Sequence, residues 1–558
     1  MKLVNCFAVG ALALSAILAV GKPCTAQNNK EAKAMLPVMR ATGPSVKMAF
    51  DGVSGNVEWV VKPEANPDIL TTRAAKVTFY SDVDTLTVCP DVWDSMDFVI
   101  LTAKGDSAHV RVNREASNPY ENPNPRLLKR ASSGKLSPEQ AQFDLKALFY
   151  NISEIHPDIF SVARQEDLMR AFNKAVLSVT DSVTTEELYK IAAPVVAMIG
   201  DGHTAVYYPS KDVYKEGSKR LPLWMKVLSD RSVIVDRSLD SLLPKGSKIL
   251  KINGKTTDEL IDELLPFMSG ESENYRLSRL YQNFRVFLPM ILPAEEYNVD
   301  FLAPSETATR TATIPMLTVA EYKGRVPADE KKAGNDEPYT FSIDEENKVG
   351  IMDFSSCEDA EMMERFAKEM FNELKEKGIK DLIIDVRLNG GGSSSVGDVL
   401  LRYISPIPCV QMEKCLIRVT PTTLRWMPGA EIDPGMYYFE MSEDEYIKPH
   451  TAEEGFYNGR VWLLTSPKTF SSANSFAWTF QQAGCGKLVG ETTGGMNVAY
   501  GDIASFHLPI SGLKAGSSCK RFWQFKADEN DIHGTIPDYK VPSEQAMDKV
   551  LELISKSR

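Results

Sequence analysis

The sequence feature that most constrains the fold is a short apolar segment that runs almost directly into three glycines. Residues 381–386 read Asp-Leu-Ile-Ile-Asp-Val, and glycines occupy positions 390–392. A strand that is apolar on both faces is typical of a parallel sheet covered by helices. Glycines at its carboxyl end let the backbone approach a ligand closely. Together these features predict an α/β fold with a site at the strand ends.

The same alternation extends over residues 339–558, which we predict to form one α/β domain. The candidate elements are strands at 349–354, 461–465 and 487–491 and helices at 358–377 and 472–482. Alternation of this kind predicts βαβ units in a multidomain α/β protein. The glycines are not followed by Lys and Ser or Thr, which excludes a phosphate-binding loop.

The segment before residue 136 differs in composition from the α/β domain. Strand-like runs at 76–80 and 97–101, and a run at 109–112 that alternates in polarity with period two, indicate a β-rich N-terminal domain over 27–112. Clustered Asn, Pro and Ser then mark a linker over 113–135.

Two predicted helices lie in a segment that spans residues 136–218. Ser137 with Gln140, and Thr184 with Glu187, match the capping box that begins a helix. Residues 219–315 form another predicted unit. In it a strand ending in Asn-Gly is followed by a helix, a phrase that resembles part of a PDZ domain.

The N-terminus has the pattern of an export signal. A mostly apolar run at 3–20 follows Lys2, and Cys-Thr-Ala at 24–26 offers small residues for cleavage. We therefore predict a signal peptide over 1–26 and a periplasmic or extracellular protein. The alternative is a membrane anchor, because about 17–25 apolar residues can span a bilayer. Lys22 disfavours lipidation.

Charge and cysteine content exclude several classes of protein. Asp plus Glu outnumber Lys plus Arg by 75 to 63, for a net charge of −12, so nucleic acid and anionic lipid are poor partners. Eight cysteines are present, of which six follow residue 26, and none form a CxxC pair. A structural zinc site therefore has little support, and Cys409 and Cys415 are candidates for a disulfide.

Three short stretches carry candidate chemistry. Gly390 and Gly391 can direct backbone N–H groups at an oxyanion, although a plain glycine turn is the alternative. Ser471 and Ser472 follow a strand and open a helix, which suits a nucleophilic hydroxyl but equally suits an N-cap. His203, in Asp-Gly-His-Thr, is a candidate base, although a structural histidine is the alternative.

These stretches together resemble the C-terminal-processing, or tail-specific, serine peptidases. The similar phrases are Asp-x-Arg-x-Asn-Gly-Gly-Gly at 385–392, Ser-Ser-Ala at 471–473, Gly-Glu-Thr-Thr-Gly-Gly at 490–495 and Gly-Thr-Ile-Pro-Asp at 534–538. The resemblance extends from about residue 139 to the C-terminus. It implies a crotonase-like ββα catalytic domain with a PDZ-like insert, and no metal or organic cofactor.

The resemblance also implies residue roles. Ser471 would be the nucleophile and His203 the general base, while the N–H groups of Ser472 and of Gly390 or Gly391 would form the oxyanion hole. Peptide or protein substrates, recognised at a C-terminus, would be the partners.

The layout resembles the tricorn-core-like branch, which uses a histidine. In the other branch a lysine follows the Gly-Glu-x-Thr phrase, and this chain has Met496 there. The resemblance assigns the acid that orients the base to Asp531, with Glu529 second. His533 is the reserve base because it lies beside these acids in sequence.

Two residues depart from the family pattern. Gly202 stands where the tricorn branch has a hydroxyl residue, and Asn474 stands where many members have Glu. We predict an exported serine peptidase. The alternatives are a degenerate peptidase that binds peptides or hydrophobic ligands and, with less support, an enoyl-CoA-type enzyme.

Overall fold

The computed structural model describes residues 46–49, 58–61, 75–78, 85–88, 95–101, 107–113, 120–121, 123–130, 134–215, 217–239, 243–325, 337–420, 422–426 and 435–557. The predicted signal peptide lies outside the described residues, and so do residues 114–119, 122 and 131–133 of the predicted linker. None of the helices in the described ranges has the length and apolar character needed to span a bilayer.

The strands, in chain order, are β1 (Val46–Ala49), β2 (Glu58–Val61), β3 (Ala75–Thr78), β4 (Thr85–Val88), β5 (Ser95–Leu101), β6 (Ser107–Asn113), β7 (Ala205–Val206), β8 (Lys219–Arg220), β9 (Leu223–Val227), β10 (Val233–Ser238), β11 (Lys248–Ile252), β12 (Lys255–Thr256), β13 (Glu296–Leu302), β14 (Thr309–Pro315), β15 (Leu317–Thr318), β16 (Tyr339–Asp344), β17 (Val349–Phe354), β18 (Asp381–Asp385), β19 (Met412–Val419), β20 (Gly435–Glu440), β21 (Arg460–Thr465), β22 (Lys487–Gly490), β23 (Val498–His507), β24 (Lys514–Gln524) and β25 (Tyr539–Lys540).

The helices are α1 (Pro138–Ile155), α2 (Gln165–Ser178), α3 (Thr185–Ala197), α4 (Ser210–Val213), α5 (Thr257–Leu264), α6 (Glu273–Ile291), α7 (Val319–Arg325), α8 (Ala360–Glu376), α9 (Ser394–Ile404), α10 (Ser472–Ala483) and α11 (Ala546–Lys556). Both predicted capping boxes are confirmed, because Ser137 and Thr184 each exchange hydrogen bonds with the residue three positions on.

The chain divides into two compact units. The first unit comprises the described residues within 1–209, 415–439 and 500–521, and the second comprises those within 210–414, 440–499 and 522–558. In the first unit β1 pairs with β4, β2 with β3 and β5 with β6, all antiparallel. Helices α1 to α3 follow, and β7 then pairs with β24.

The second unit contains the α/β sheet that the sequence predicts. Its strand order is β16-β17-β18-β21-β22-β25, and every pair except β16 with β17 is parallel. Leu382 and Ile384 pack with helices α8 to α10, while Ile383 between them packs on the opposite face with α11. The apolar run at 381–386 is therefore covered on both faces, as predicted.

The second unit also contains an antiparallel sheet built from residues 223–315. Its strand order is β14-β13-β11-β10-β9, with β12 paired to β11. Strands β9 and β14 lie at the two ends of this order, and α5 and α6 connect β12 with β13.

Cys409 and Cys415 are free thiols, so the predicted disulfide between them is wrong. The Cys409 thiol is fully buried and faces the Ser405 hydroxyl, with Sγ 3.6 Å from Oγ. Cys415 lies in β19, and burial raises the pKa of its thiol to about 12.

Candidate active site

The turn between β21 and α10 presents Ser471 in an unusual backbone conformation. Ser471 has φ 53° and ψ −128°, and its side chain does not cap the helix that begins at Ser472. A non-glycine residue in such a region costs about 1–3 kcal/mol and is found most often at functional sites. The N-cap alternative therefore fails for Ser471, since it occupies the cap position without forming the capping bond.

Hydrogen bonds hold this strained turn against the end of strand β18. The Thr469 hydroxyl donates to the Val386 carbonyl at 2.8 Å, and the Phe470 N–H donates to the Asn389 carbonyl at 3.1 Å. The Ser466 hydroxyl donates to the Arg387 carbonyl at 2.5 Å. Three contacts to consecutive parts of one loop fix the turn in a single arrangement.

The glycine loop lies directly against Ser471. Gly391 has φ 102°, and a Cβ placed on it would lie 2.6 Å from the Ser471 Cβ and 3.0 Å from the Ser472 nitrogen. Both separations are shorter than van der Waals contact, and the backbone angle is one that side chains disfavour. Glycine at this position thus keeps the Ser472 N–H open toward the space beside Ser471.

Of the three predicted oxyanion donors, two have N–H groups that are available. The Gly391 N–H donates to the Asn389 side chain at 2.8 Å and is therefore already used. Among the described residues, the N–H groups of Gly390 and Ser472 meet no acceptor. The Ser472 hydroxyl is buried and donates to the Gly392 carbonyl at 2.7 Å, which ties the helix start to the glycine loop.

Asn474, which departs from the family pattern, anchors the first turn of α10. Its side-chain amide donates to the Met496 carbonyl at 2.8 Å. Its carbonyl oxygen accepts from the hydroxyls of Thr493 and Thr535, and all three side chains are almost completely buried. A fully bonded neutral network of this kind needs no carboxylate at position 474.

The predicted acids near the C-terminus lie in the second unit. The closest approach of Asp531 to His533 is 3.5 Å, between Oδ1 and Nε2, and Asp531 also accepts from the Asp528 N–H. Glu529 accepts from the Trp523 indole N–H at 2.9 Å. Asp531 thus lies beside the reserve base, and Glu529 is engaged by Trp523.

His203 lies in the first unit, next to a buried carboxylate. The Asp201 side chain accepts from the His203 backbone N–H at 2.9 Å, and its Oδ1 lies 3.6 Å from the His203 Nδ1. The His203 side chain is 11% exposed, whereas Asp201 is 1% exposed. The carboxylate can therefore orient the imidazole from the buried side.

Asp201 is surrounded by hydrogen-bond donors. Its Oδ2 accepts from the hydroxyls of Thr204 and Ser518 at 2.5 and 2.6 Å and from His156 Nε2 at 3.2 Å. The Asp158 N–H donates to His156 Nδ1, which leaves the ring proton on Nε2. Burial raises the pKa of Asp201, but the hydrogen bond from His156 and the nearby His203 imidazole outweigh it and hold that pKa well below its usual value of 3.8.

Sequence reasoning missed His156 and Asp201 as partners around His203, and it missed Asn389 as the partner of Gly391. Asp201 lies two residues before His203, the spacing at which an Asp side chain commonly accepts a hydrogen bond from the backbone N–H two residues later. Asn389 lies two residues before Gly391 and makes the same type of contact. His156 has no such local signal, because the chain between positions 156 and 201 separates it from its partner.

Comparison with known proteins gives a sequence match for residues 348–541 and a similarity of fold for about three quarters of the chain. Residues 348–541 match the model described as peptidase family S41. The fold is similar to that of mature CPAF complexed with lactacystin, at 15% identity and a TM-score of 0.55 over 75% of this chain and 97% of that chain. Mature CPAF without this compound is 14% identical, with a TM-score of 0.56 over 75% of this chain and 96% of that chain. The photosystem II D1 C-terminal processing protease is 15% identical, with a TM-score of 0.40 over 74% of this chain and 97% of that chain.

Proposed function

We propose that the protein is a serine-type peptidase with Ser471 as nucleophile, because residues 348–541 match the model of peptidase family S41. The family implies peptide or protein substrates. The observation that carries the assignment is the strained backbone of Ser471, which packs against Gly391 beside two available N–H groups. A helix N-terminus at the same point adds positive potential for an anionic intermediate.

The proposed reaction follows from these positions. The Ser471 hydroxyl attacks the peptide carbonyl while His203 accepts its proton, and the N–H groups of Ser472 and Gly390 stabilise the oxyanion. The protonated imidazole then donates to the leaving amine. Water, deprotonated by the same imidazole, then attacks the acyl-enzyme, and the imidazolium returns the proton to the Ser471 oxygen as the acyl–oxygen bond breaks and the second product leaves.

In this proposal Asp201 orients His203, a role for which the family resemblance implies Asp531, with Glu529 second. Asp201 approaches the imidazole Nδ1 and is held in its ionised form by the surrounding donors. An ionised carboxylate at that nitrogen stabilises the imidazolium that forms during the reaction.

We propose further that residues 339–558 form a crotonase-like ββα catalytic domain and that residues 219–315 form a PDZ-like insert. The antiparallel order of β9 to β14 with two helices supports the second assignment. An extended peptide could add to an end strand of this sheet by backbone hydrogen bonds.

Export is the proposed localisation, and it rests on the sequence of residues 1–26. Cleavage after Ala26 would give a mature chain that starts at Gln27, which intact-mass analysis of the natively exported protein would show. A retained Met1 in the membrane fraction would favour the anchor instead.

Labelling with a fluorophosphonate probe, followed by peptide mapping, tests the nucleophile. We expect one adduct, on Ser471, and we expect Ser471→Ala to abolish labelling and to reduce kcat by on the order of a millionfold. Ser472→Ala is the matched control. It should cost less than about tenfold, because it removes one buried hydrogen bond and leaves the backbone N–H in place.

An adduct on Ser472, or on another residue, would contradict the assignment. If the wild-type protein neither reacts with the probe nor cleaves any peptide of a library, but binds peptides as well as Ser471→Ala does, the peptide-binding alternative would replace the peptidase.

A further inference from the structure

Helix α6 of the antiparallel-sheet region packs directly on the turn that carries Ser471. The Tyr275 ring stacks on the Phe470 ring with centroids 4.1 Å apart and planes 10° apart. The Ser278 hydroxyl lies 3.4 Å from the Pro467 carbonyl oxygen. A surface formed by α6 therefore borders the turn at the residues just before Ser471.

Two lysines share one aromatic ring at this border. Lys468 Nζ lies 3.5 Å from the Tyr281 ring centroid, and Lys226 Nζ on β9 lies 5.8 Å from the same centroid. The carboxylate beside them is Asp236, which accepts from the Tyr281 hydroxyl at 2.8 Å and lies 3.6 Å from Lys226. Lys245 also approaches Asp236, at 3.9 Å, but its side chain is 80% exposed.

Lys468 itself has no carboxylate within ion-pair distance among the described residues. Its side chain is only partly exposed, and its pKa is lowered to about 8, first by burial and second by Lys226. Asp236 and Glu544 offset these effects only in part. A partly buried ammonium without its own counter-ion is costly, and an anion bound beside it would remove that cost.

We propose that Lys468 and Lys226 form a subsite that binds a carboxylate of the peptide substrate. This inference rests on the proposed function, because it assumes that the ligand is a peptide. Strand β9 is an end strand of its sheet and contributes Lys226, so a peptide added along β9 would pass this pair of cations. Lys468 precedes Ser471 by three residues, which connects the subsite with the turn of the nucleophile.

The carboxylate could be the C-terminal group of the peptide or an Asp or Glu side chain, since both present the same oxygens. Equilibrium capture separates these sources without requiring turnover. The bait is the full chain with Ser471→Ala. The probe is a random octapeptide library in three forms: with a free C-terminus, with a C-terminal amide, and with the amide plus Asn and Gln in place of Asp and Glu.

Captured peptides are quantified by mass spectrometry at fixed salt. We expect capture to fall about tenfold when the recognised carboxylate is removed, in line with a hydrogen bond to a charged group. A fall on amidation alone identifies the C-terminal group, and a fall only in the third form identifies an acidic side chain. In a Lys468→Met bait this preference should disappear, while Lys468→Arg and the exposed control Lys245→Met should keep it.

Equal capture of all three forms would overturn the subsite, and so would an unchanged preference in Lys468→Met or the capture of no peptide at all. Failure of the peptidase assignment is visible separately, as the absence of a fluorophosphonate adduct on Ser471 in the unmodified chain.

Discussion

The surroundings of Ser471 and of His203 are built by opposite means. Ser471 is placed by the main chain, through a strained φ of 53° and a glycine loop packed on its Cβ. His203 is placed by side chains, through a buried carboxylate that three further side chains hold with hydrogen bonds. Activity should therefore be lost when a larger side chain is introduced around Ser471, and when the carboxylate charge beside His203 is removed.

Removing the charge of Asp201 should have the largest effect of the substitutions that spare Ser471 and His203. Asp201→Asn keeps the size of the side chain but removes the anion at the imidazole. We expect kcat to fall on the order of 10⁴-fold with KM nearly unchanged, as when the acid of a catalytic triad is neutralised. Steady-state kinetics on a cleaved peptide measures both constants.

The matched control for this substitution is Thr204→Val, which removes one hydrogen bond to the same carboxylate and leaves its charge. It should reduce kcat by less than about tenfold. Similar losses for both variants would mean that Asp201 acts only through the packing of the first unit.

Added bulk at Gly391 should have the next largest effect. Gly391→Ala places a methyl group 2.6 Å from the Ser471 Cβ and 3.0 Å from the Ser472 nitrogen. The serine and its neighbouring donor must move apart, and losing one oxyanion donor costs about 10²–10³-fold in kcat. Kinetics together with thermal unfolding separates this loss from destabilisation.

Gly378→Ala offers the comparison, because Gly378 also has a positive φ, 65°, but a Cβ there would meet no atom within 4 Å. We expect it to lower the stability by about 1 kcal/mol and to leave kcat unchanged. Full activity of Gly391→Ala would show that the glycine loop does not constrain the nucleophile.

The smallest effect concerns stability in acid. The pKa of Asp201 is lower in the folded chain than in the unfolded chain, where it is about 3.9. Its contribution to stability is therefore complete above about pH 4 and is lost as the pH falls through the folded-state value. The difference in urea midpoint between wild type and Asp201→Asn should shrink between pH 6 and pH 3, and a constant difference would contradict the lowered pKa.

Local patterns in the sequence predicted the parts of the fold that depend on local physics. The strand observed at Asp381–Asp385 and the helix at Ala360–Glu376 agree with the predicted 381–386 and 358–377. Apolar periodicity and capping residues set these elements, so they can be read from a single chain. The predicted Cys409 disulfide failed because nearness in sequence says little about the direction of a buried thiol.

The candidate site was predictable only where its contacts are local. The succession of a strand, a turn and a helix start predicted the candidate residues Ser471 and Ser472, and glycines after a buried strand predicted Gly390. His156 contacts Asp201, which lies 45 positions later in the chain. Which of the two glycine N–H groups is already hydrogen-bonded depends on the direction of the Asn389 side chain, which accepts from Gly391. Neither contact can be predicted from the composition or the apolar periodicity of the sequence.

If His203 activates Ser471, the rate of fluorophosphonate labelling at neutral pH must depend on His203. We predict that His203→Ala lowers the second-order rate constant by about 10²–10⁴-fold, the usual contribution of a general base. His533→Ala, which alters the reserve base beside Asp531, should leave the rate within about threefold of wild type, since general-base catalysis would not pass through it. Near-normal labelling of His203→Ala, with a large loss in His533→Ala, would contradict the account.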